Sequence, residues 1–292
     1  MADGSFGPEA LGALMSQMRP RLHRYCARMV GSAIDGEDVV QDALAKAHEA
    51  LPGAGVIERP ESWLFKIAHN TALDALRRRK RRAAGSDLGL ENLADASAAA
   101  DARVAAAASL ASFLRLNPSQ RSSVVLIDVL GHSLDETVEI LGLSLATVKA
   151  ALHRARARLK DMAAAVDEKT PALAPLERER LRAYADRFNA RDFDALRALL
   201  ADDVRLELVN RVRLAGRKDV SVYFGRYDEV FDWRFEPGVA EGAPALLGSD
   251  PADSSGRILF VVLLTWRDGK IAAIRDFKYA PYVMDSLAVS RL

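Results

Sequence analysis

The sequence predicts a multidomain protein with two all-α helical domains followed by an α+β domain. Two observations lead to this fold class. Apolar residues recur every three or four positions in the first half of the chain, and short β-rich runs bounded by turn residues fill its last third. The 292 residues are 50% hydrophobic and 28% charged, which is typical of globular proteins and excludes disordered and collagen-like chains.

Cysteine and hydropathy patterns bear on the compartment. The single cysteine, Cys26, cannot form an internal disulfide, so a cytoplasmic location is expected. No stretch of about 18 apolar residues occurs, and the N-terminus lacks a basic lead before an apolar run, so neither a membrane span nor an export signal is expected. His23 and Cys26 lie three apart on one predicted helix, but no second pair completes a zinc site. We expect no metal and no cofactor.

The first domain, residues 1–84, is predicted to contain three helices. Helical periodicity extends over 8–30 and over 36–51, and a third helix begins near Glu61. The apolar faces of the three helices match, so they can close one small core. The third helix ends in an unbroken basic run, 77–82, which indicates contact with a polyanion.

Charge is sorted locally although it nearly cancels globally, with 41 Lys and Arg against 40 Asp and Glu. A second basic cluster lies within residues 149–160, which suggests that a polyanion is contacted at two places. An acidic patch precedes both clusters and consists of Asp35, Glu37, Asp38 and Asp42. This patch fits either a basic protein partner or a solvated helix face.

Composition changes twice between the predicted domains. Residues 85–108 are rich in Ala and Asp and contain little that could build a core, which predicts an acidic linker. Helical periodicity returns over 109–163, the second domain, and residues 164–176 form a shorter, Pro-containing linker. The α+β domain then occupies 177–292.

The α+β domain is predicted to begin with two helices that wrap a curved antiparallel sheet. Its β-rich runs are 204–209, 231–235, 258–266 and 271–277. Asp268-Gly269 lies between the last two runs and predicts a type I′ hairpin turn, because both central positions of that turn need positive φ.

The most specific local pattern lies within residues 133–160. Ser133 with Glu136 predicts a capping box that opens one helix, and Gly142 ends that helix. Ser144 then caps a second helix, which gives the order of a helix-turn-helix that places its second helix in a major groove. The residues left available to the groove are Thr147, Lys149, Ala150, His153, Arg154 and Arg156. An ordinary helical hairpin with a solvated basic face is the alternative.

A second group of polar and aromatic residues lies in 59–82. Trp63, His69 and Asn70 stand near Lys66 and the basic run, and aromatic rings among cations suit single-stranded nucleic acid, whose bases stack while its phosphates pair. Taken alone, Trp63 favours a partly core position, and a basic helix end is often explained by complementation of the helix dipole. The downstream helix-turn-helix favours melted DNA as the ligand.

Residues 32–51, 62–82 and 117–159, taken in this order, resemble the two conserved domains of an extracytoplasmic-function sigma factor of the sigma-70 family. The resemblance covers about residues 10–163. It implies that the first, sigma2-like domain binds the clamp helices of the RNA polymerase β′ subunit and captures melted −10 DNA. It also implies that the second, sigma4-like domain reads the −35 element of promoter DNA.

The resemblance carries site residues over by position. It assigns polymerase binding to Asp38, Gln41 and Asp42. It assigns −10 DNA to Trp63, Lys66, His69, Asn70, Asp74, Arg77 and Arg78. It assigns −35 DNA to Thr147, Lys149, Ala150, His153 and Arg154, and Arg156 adds a cation for phosphate. The chain departs from the family at Ala150-Ala151, where a polar residue and an arginine are frequent, so fewer base contacts are expected there.

The last domain resembles the SnoaL-like, NTF2-like cone in its helix-to-strand entry, 188–208, and in its closing hairpin, 266–277. This resemblance implies a domain that modulates sigma activity, and it leaves open a small-molecule ligand, because such cones usually enclose an apolar pocket. Some cones are isomerases or cyclases, but a fold alone does not transfer chemistry.

Two alternative functions stay open at this stage. An enzymatic cone needs a carboxylate base and an opposing donor; the candidate bases are Asp203, Glu207, Asp232 and Asp276, and the candidate donors are Tyr223 and Tyr227. Their spacing pairs none of them, so no catalytic residue is assigned. A helix-turn-helix regulator that works without polymerase is the other alternative.

Overall fold

The computed structural model describes residues 6–82, 105, 108–163, 173–225, 227 and 233–292. These residues form two compact units, one within Met1–Asp167 and the other within Glu168–Leu292, called here the helical unit and the α+β unit. The first is all-α and the second combines helices with a seven-stranded sheet, which confirms the predicted fold class. In the part of the chain that is described, no helix is long and apolar enough to cross a membrane.

Three long helices open the helical unit: α1 Pro8–Val30, α2 Ala33–Ala50 and α3 Pro60–Arg82. All three helices were predicted, with small differences at their N-termini. The largest is in α2, which begins three residues early because the Ser32 side chain accepts the backbone N–H of Asp35. Gly31 ends α1 in the left-handed region, with φ 78°.

Within the described ranges 108–163, four further helices follow: α4 Leu110–Leu114, α5 Pro118–Val124, α6 Leu134–Leu141 and α7 Leu145–Ala163. A π-helical turn, Val125–Val129, continues α5. Asn117 and Gln120 form a capping box at the start of α5, and Ser133 and Glu136 form the predicted one at the start of α6. These caps satisfy backbone N–H groups that the first helical turn leaves without partners.

The two predicted helical domains share one hydrophobic core. Buried residues of α1–α3, such as Leu22 and Phe65, belong to the same cluster as Phe113 and Leu152 from the later helices. The sequence predicted that the first three helices close a small core of their own. Periodicity shows that a helix has an apolar face but not which distant helix covers it, so the joint core left no local signal.

A buried arginine fixes the junction between these helices. Arg121, on α5, donates to the Met29 carbonyl at the C-terminal end of α1 and to the carbonyls of Leu114 and Leu116 at 3.1 and 2.8 Å. Leu114 also lies directly over Gly31, where a Cβ would come within 2.4 Å of its side chain. The first three helices are therefore held against α4 and α5 by a polar and an apolar contact.

The predicted linkers fall mostly outside the described residues. Of 85–108, only Ala105 and Ala108 are described, and Ala105 is fully buried in the shared core. Of 164–176, only the last four residues are described; Leu173 is buried against the α+β unit, and the next helix already begins at Pro175.

The described part of the α+β unit has three α-helices, seven strands and a short 3-10 helix, Pro281–Asp285. The α-helices and strands are α8 Pro175–Asn189, α9 Phe193–Ala198, β1 Leu200–Leu208, β2 Val212–Ala215, α10 Arg217–Gly225, β3 Arg234–Ala240, β4 Ala243–Ser249, β5 Ile258–Arg267, β6 Lys270–Asp276 and β7 Val289–Arg291. The sheet order is β2-β1-β6-β5-β4-β3-β7. Every pairing is antiparallel except that between β1 and β6, which is parallel.

The strands agree with the sequence where β-branched residues are dense. Strand β5 covers its predicted run, and β1 and β6 each end one residue before theirs, at Leu208 and Asp276. Strand β3 begins at Arg234, later than expected. Strands β2, β4 and β7 were not predicted; β4, APALLGS, has no β-branched residue and contains Pro and Gly, so only its neighbours on the sheet make it a strand. Asp268 and Gly269 have φ of 52° and 75°, as the predicted type I′ turn requires.

Phe188, on α8, lies at the centre of an aromatic cluster that fills the α+β unit. Its ring centroid is 4.8 Å from that of Trp233 and 4.9 Å from that of Phe235, both in edge-on geometry. The cluster also includes Tyr227 and Phe224. In the described part of the unit, the side chains around Phe188 are therefore closely packed.

We expect Gly36→Ala to destabilise the helical unit by about 1–3 kcal/mol, because overpacking a well-filled core costs this much. A Cβ at Gly36 would lie 2.6 Å from the Cα of Ala27 and 2.7 Å from its backbone nitrogen, where α1 and α2 cross. Urea unfolding monitored by far-UV circular dichroism measures the change.

Gly12→Ala is the matched control for this substitution. Gly12 is exposed on α1 and nothing lies within 4 Å of its Cβ position, so alanine is expected to stabilise the helix by about 0.5–1 kcal/mol. Equal effects at the two positions would contradict a tight crossing of α1 and α2.

Candidate functional site

The acidic surface of α2 is narrower than the sequence patch. Asp38 and Asp42 are exposed one turn apart, and Gln41 lies beside them, half-buried. Gln41 points its amide toward the Glu37 carboxylate at 3.5 Å. Glu37 itself is fully buried in an ion pair with Arg19, so its charge is neutralised inside the unit. Of the four acidic residues of the patch, only Glu37 is removed from the surface; Asp35, Asp38 and Asp42 are exposed, and Gln41 lies beside the last two.

A polar stripe follows one face of α3. Lys66 and Asn70 are exposed one turn apart, Asp74 continues the same face, and Arg77 and Arg78 end it. Three ion pairs order this stripe: Asp74 with Lys46 at 3.7 Å, Asp74 with Arg77 at 3.0 Å, and Arg78 with Asp42 of α2 at 3.5 Å. The exposed cations and the amide could bind phosphates and a base edge.

Two predicted members of this group lie deeper. Trp63 is half-buried and packs against the shared core, while His69 is only 8% exposed. The Tyr25 hydroxyl and Nδ1 of His69 form a hydrogen bond of 2.7 Å, and burial lowers the pKa of His69 to about 4. His69 is therefore a neutral packing residue in this arrangement, and its contact with DNA stays a prediction.

The helix-turn-helix is formed by α6 and α7, with the turn at Gly142. Gly142 adopts φ 63°, and the Ser144 hydroxyl accepts the N–H of Thr147 at 3.2 Å, as the sequence predicted for the start of α7. Val148 and Ala151 are buried on the inner face of α7. This face fixes the rotation of the helix and leaves the opposite side to solvent.

The predicted −35 residues lie on that outer side, with one difference. Thr147 and Lys149 are exposed, and Ala150, His153 and Arg154 are half-buried. Arg156 instead makes a two-bond ion pair with Asp128 of the π-helical turn, at 2.9 and 2.7 Å. Asp128 is 2% exposed, so in this arrangement Arg156 anchors α7 to the preceding helix.

A buried carboxyl group lies in the α+β unit. Asp276, at the end of β6, is fully buried; Oδ2 accepts the hydroxyls of Tyr223 at 2.8 Å and Tyr227 at 3.0 Å, and Oδ1 accepts the N–H of Lys278. Burial raises the pKa of Asp276, while these hydrogen bonds oppose the rise. The Lys278 ammonium lies 5.3 Å from the centre of the Tyr227 ring.

The sequence named these three side chains but not their pairing. The inward orientation of Asp276 could be found from strand alternation, because Ile274 and Asp276 are two residues apart on β6 and both are buried. Tyr223 lies on α10, whereas Tyr227 follows the end of that helix at Gly225. Strand alternation does not show that both hydroxyls reach Asp276, because these are tertiary contacts.

The other candidate bases are placed differently. Asp203 is exposed and paired with Arg267, and Glu207 is paired with Arg213 and Arg275 at 2.8 and 2.9 Å. Asp232 lies outside the described residues. These ion pairs belong to the sheet surface and bring no second carboxylate near Asp276.

Two residues considered for a metal have other contacts. His23 Nε2 lies 2.9 Å from the Ala33 carbonyl, and Cys26 is fully buried. Across the described ranges, no group of three His, Cys, Asp or Glu side chains is placed to hold a metal ion.

Comparison with protein families places three matches on the chain. Residues 14–82 match Sigma-70 region 2, residues 110–159 match Sigma-70 region 4, and residues 181–274 match the SnoaL-like domain. The first two ranges contain the α2, α3 and α7 surfaces described above. The third contains Tyr223, Tyr227 and Ile274 but ends before Asp276.

Individual relatives cover different parts of the chain. The ECF RNA polymerase sigma factor SigM of Mycobacterium tuberculosis is 33% identical over 150 residues, which are 51% of this chain and 75% of SigM. SigG of the same species is 30% identical over 217 residues, 65% of this chain and 59% of SigG. The crystal structure of M. tuberculosis SigJ matches 91% of this chain and 95% of its own, at 22% identity and a TM-score of 0.35.

We expect Tyr223→Phe to lower the stability of the α+β unit by about 1–3 kcal/mol at neutral pH, because a buried acceptor loses a donor. Tyr279→Phe is the matched control: Tyr279 is 39% exposed, and its contact with Arg211 is made by the ring, which phenylalanine keeps. Hydrogen exchange of the β5 and β6 amides measures both. Equal protection in the two variants would contradict a stabilising bond to Asp276.

The same carboxyl predicts a pH dependence of this unit. Because the folded state raises the pKa of Asp276, the unit is expected to lose stability as pH rises from about 4, the ordinary value for Asp, through the raised value. Asp276→Asn keeps an acceptor oxygen but cannot ionise, so it should flatten this slope. An unchanged slope in hydrogen exchange would assign it to other groups.

Proposed function

The chain belongs to the ECF RNA polymerase sigma factors of the sigma-70 family, and on this premise we propose how its surfaces divide the work of promoter recognition. The α2 surface of Asp38, Gln41 and Asp42 binds core polymerase at the clamp helices of β′. The stripe on α3 holds melted −10 DNA, and the outer face of α7 reads the −35 duplex.

The observation that carries the proposal is the presence, on one helical unit, of one acidic and two cationic exposed faces. On α3, Lys66 and Arg77 are exposed, and on α7 Lys149 is exposed. Polyanionic DNA is attracted to the second and third faces, while the exposed carboxylates on α2 suit a basic protein surface. Each face is backed by the shared core, which presents it on a rigid element.

The proposed roles of the −10 residues depend on how exposed each side chain is. Lys66, Arg77 and Arg78 supply phosphate contacts, and the exposed amide of Asn70 is the group suited to reading an unpaired base edge. Trp63 offers only part of its ring for stacking because the rest lies against the core. His69 supports this surface from below through its hydrogen bond with Tyr25.

Contacts with the −35 element rest on Thr147, Lys149, His153 and Arg154. Arg154 offers the bidentate donors that match guanine in the major groove. Ala150 contributes only a methyl group, which suits a thymine methyl better than a hydrogen-bonding base edge. Arg156 acts indirectly, since its ion pair with Asp128 orients α7.

The helical unit must change shape to use both DNA surfaces at once. A compact chain of about 160 residues has a radius of gyration of about 15 Å and a diameter near 40 Å. Promoter elements about 25 base pairs apart are separated by about 85 Å along the duplex. We therefore propose that α1–α3 separate from α4–α7 when the protein engages polymerase and promoter.

The α+β unit is proposed to modulate this activity without catalysis of its own. Among the described candidate bases, Asp276 is the one bonded to the candidate tyrosine donors, but it is fully buried and both its oxygens are hydrogen-bonded. A catalytic base must reach its substrate directly or through water, so this geometry suits a structural carboxyl group. A small-molecule ligand of the unit remains compatible with this role.

The proposal is tested by transcription with purified core polymerase. We expect the full chain to direct initiation at specific start sites, and Asp38→Lys with Asp42→Lys to reduce co-purification with core at least tenfold by reversing the charge of the α2 surface. Asp135→Lys, exposed on α6, is the matched control and should bind core as the wild type does. Failure of the full chain to start transcription at specific sites with core polymerase, or equal core binding by both variants, would contradict the proposal.

Arg154→Ala is expected to weaken binding of −35 duplex by about 1–3 kcal/mol, because a bidentate contact with a base is worth this much. Fluorescence anisotropy over a range of salt concentrations measures the affinity and the salt slope. Arg182→Ala, exposed on α8 of the α+β unit, serves as control. Unchanged affinity and salt slope would remove Arg154 from the interface, whereas a lower slope alone would assign it to a phosphate.

A further inference from the structure

His132 lies where the first three helices meet the helix-turn-helix. It follows the π-helical turn and precedes α6, yet its ring packs edge-on against Phe65 of α3, with the ring centres 4.8 Å apart. His132 is 7% exposed and Phe65 is fully buried. The contact therefore joins the segment proposed to hold −10 DNA to the segment that carries the −35 helix.

The hydrogen bonds of His132 define its protonation state. Nη2 of Arg21, on α1, is 3.3 Å from Nε2 of the ring. A guanidinium group can only donate, so Nε2 accepts and the ring is neutral. The proton then lies on Nδ1, which is 3.9 Å from a carboxylate oxygen of Glu136 on α6.

Charged groups surround this ring from three helices. Arg21 is contributed by α1 and pairs with Glu61 of α3 at 3.2 Å, and Glu136 is contributed by α6. A second ion pair, at 2.7 Å, joins Arg59, the residue before α3, to Glu139 of α6. Burial and then Arg21 lower the pKa of His132, and Glu136 and Glu61 only partly oppose this.

We propose that His132 is an acid-sensitive latch between α1–α3 and α4–α7: the neutral ring holds the helical unit closed, and protonation at Nε2 opens it. A proton at Nε2 removes the acceptor for Arg21 and puts two cations within hydrogen-bond distance. The part of this inference that concerns transcription rests on the proposed function, because opening is what lets the two DNA surfaces reach separate promoter elements.

The direction of the pH effect follows from linkage. In the open form the ring is solvated and titrates near the ordinary value, about 6.5, whereas the closed form resists the proton. The ratio of closed to open molecules is therefore constant above that value. It falls by up to about tenfold for each pH unit below it, until the lowered pKa of the closed form is reached.

Two other buried histidines titrate in acid but act elsewhere. His23 is bonded to the Ala33 carbonyl and His69 to Tyr25, so both lie among α1–α3. Burial lowers the pKa of each, and their protonation would unfold these helices rather than separate them from α6. Loss of helical ellipticity distinguishes that event from opening.

The test measures the separation of the two segments in the full chain without DNA or polymerase. Dyes on Glu49→Cys and Asp161→Cys report it by energy transfer, because both positions are exposed, one on α2 and the other on α7. The native Cys26 is fully buried and stays unlabelled. Between pH 8 and pH 5.5, we expect transfer efficiency to change with a midpoint below 6.5 while far-UV ellipticity is retained.

His132→Gln is the decisive variant, because its amide oxygen can accept from Arg21 but takes no proton. We expect its transfer efficiency to be the same at both pH values, whereas His48→Gln, at an exposed position on α2, should respond as the wild type does. A wild type that does not respond, or a response that His132→Gln retains, would overturn the latch. So would a response accompanied by loss of ellipticity.

Arg21→Gln keeps the test decisive if His132→Gln does not fold. Removing the guanidinium removes the cation that a protonated ring would face, so the midpoint of opening should move at least half a pH unit lower. An unmoved midpoint would overturn the proposal. These measurements use no promoter, so a failure of the latch is distinguishable from failure to start transcription with core polymerase.

Discussion

The buried guanidinium of Arg121 is the interaction on which the arrangement of the helical unit depends. It donates to three backbone carbonyls, one at the end of α1 and two around the end of α4. Carbonyls in the last turn of a helix have no intrahelical partner and carry partial negative charge, so a cation there is well placed. Burial lowers the pKa of Arg121 to about 10, which still leaves it charged at neutral pH.

In this arrangement the polar faces of the helices are exposed to solvent, and their apolar faces pack in one shared core. The polar stripe of α3 and the outer face of α7 face solvent, while Phe65, Phe113 and Leu152 join one core beneath them. Each proposed DNA surface is therefore formed on a packed helix, and the distance between the two surfaces is set by the core.

Most of the helix ends and turns could be predicted from the sequence. The limits of α1, the capping box at Ser133, the turn at Gly142 and the type I′ hairpin each follow from short-range rules about caps and positive φ. Strand β4 was not predicted because its residues have little β-propensity. It is a strand because it pairs with β3 and β5. Propensity describes a segment alone, and a central strand is defined by its neighbours.

The sequence predicted which residue types form the candidate sites, but not which of these residues are buried or paired. Residue type and spacing identified Lys66, Asn70 and Lys149, which are exposed, but could not show that His69 is buried or that Arg156 is held by Asp128. The pairing of Asp276 with two tyrosines was missed for the same reason. The burial of a side chain and its pairing with another element depend on tertiary contacts. A single sequence does not reveal these contacts.

The order of strands in the sheet has a consequence for synthesis of the protein on the ribosome. Strand β1 finds its parallel neighbour only in β6, and β3 finds its outer neighbour in β7, which ends at Arg291. Non-local pairings of this kind form late and slowly, whereas helical units fold as they emerge. A nascent chain therefore passes through an interval in which the promoter-binding helices are already folded and the domain that accompanies them is not.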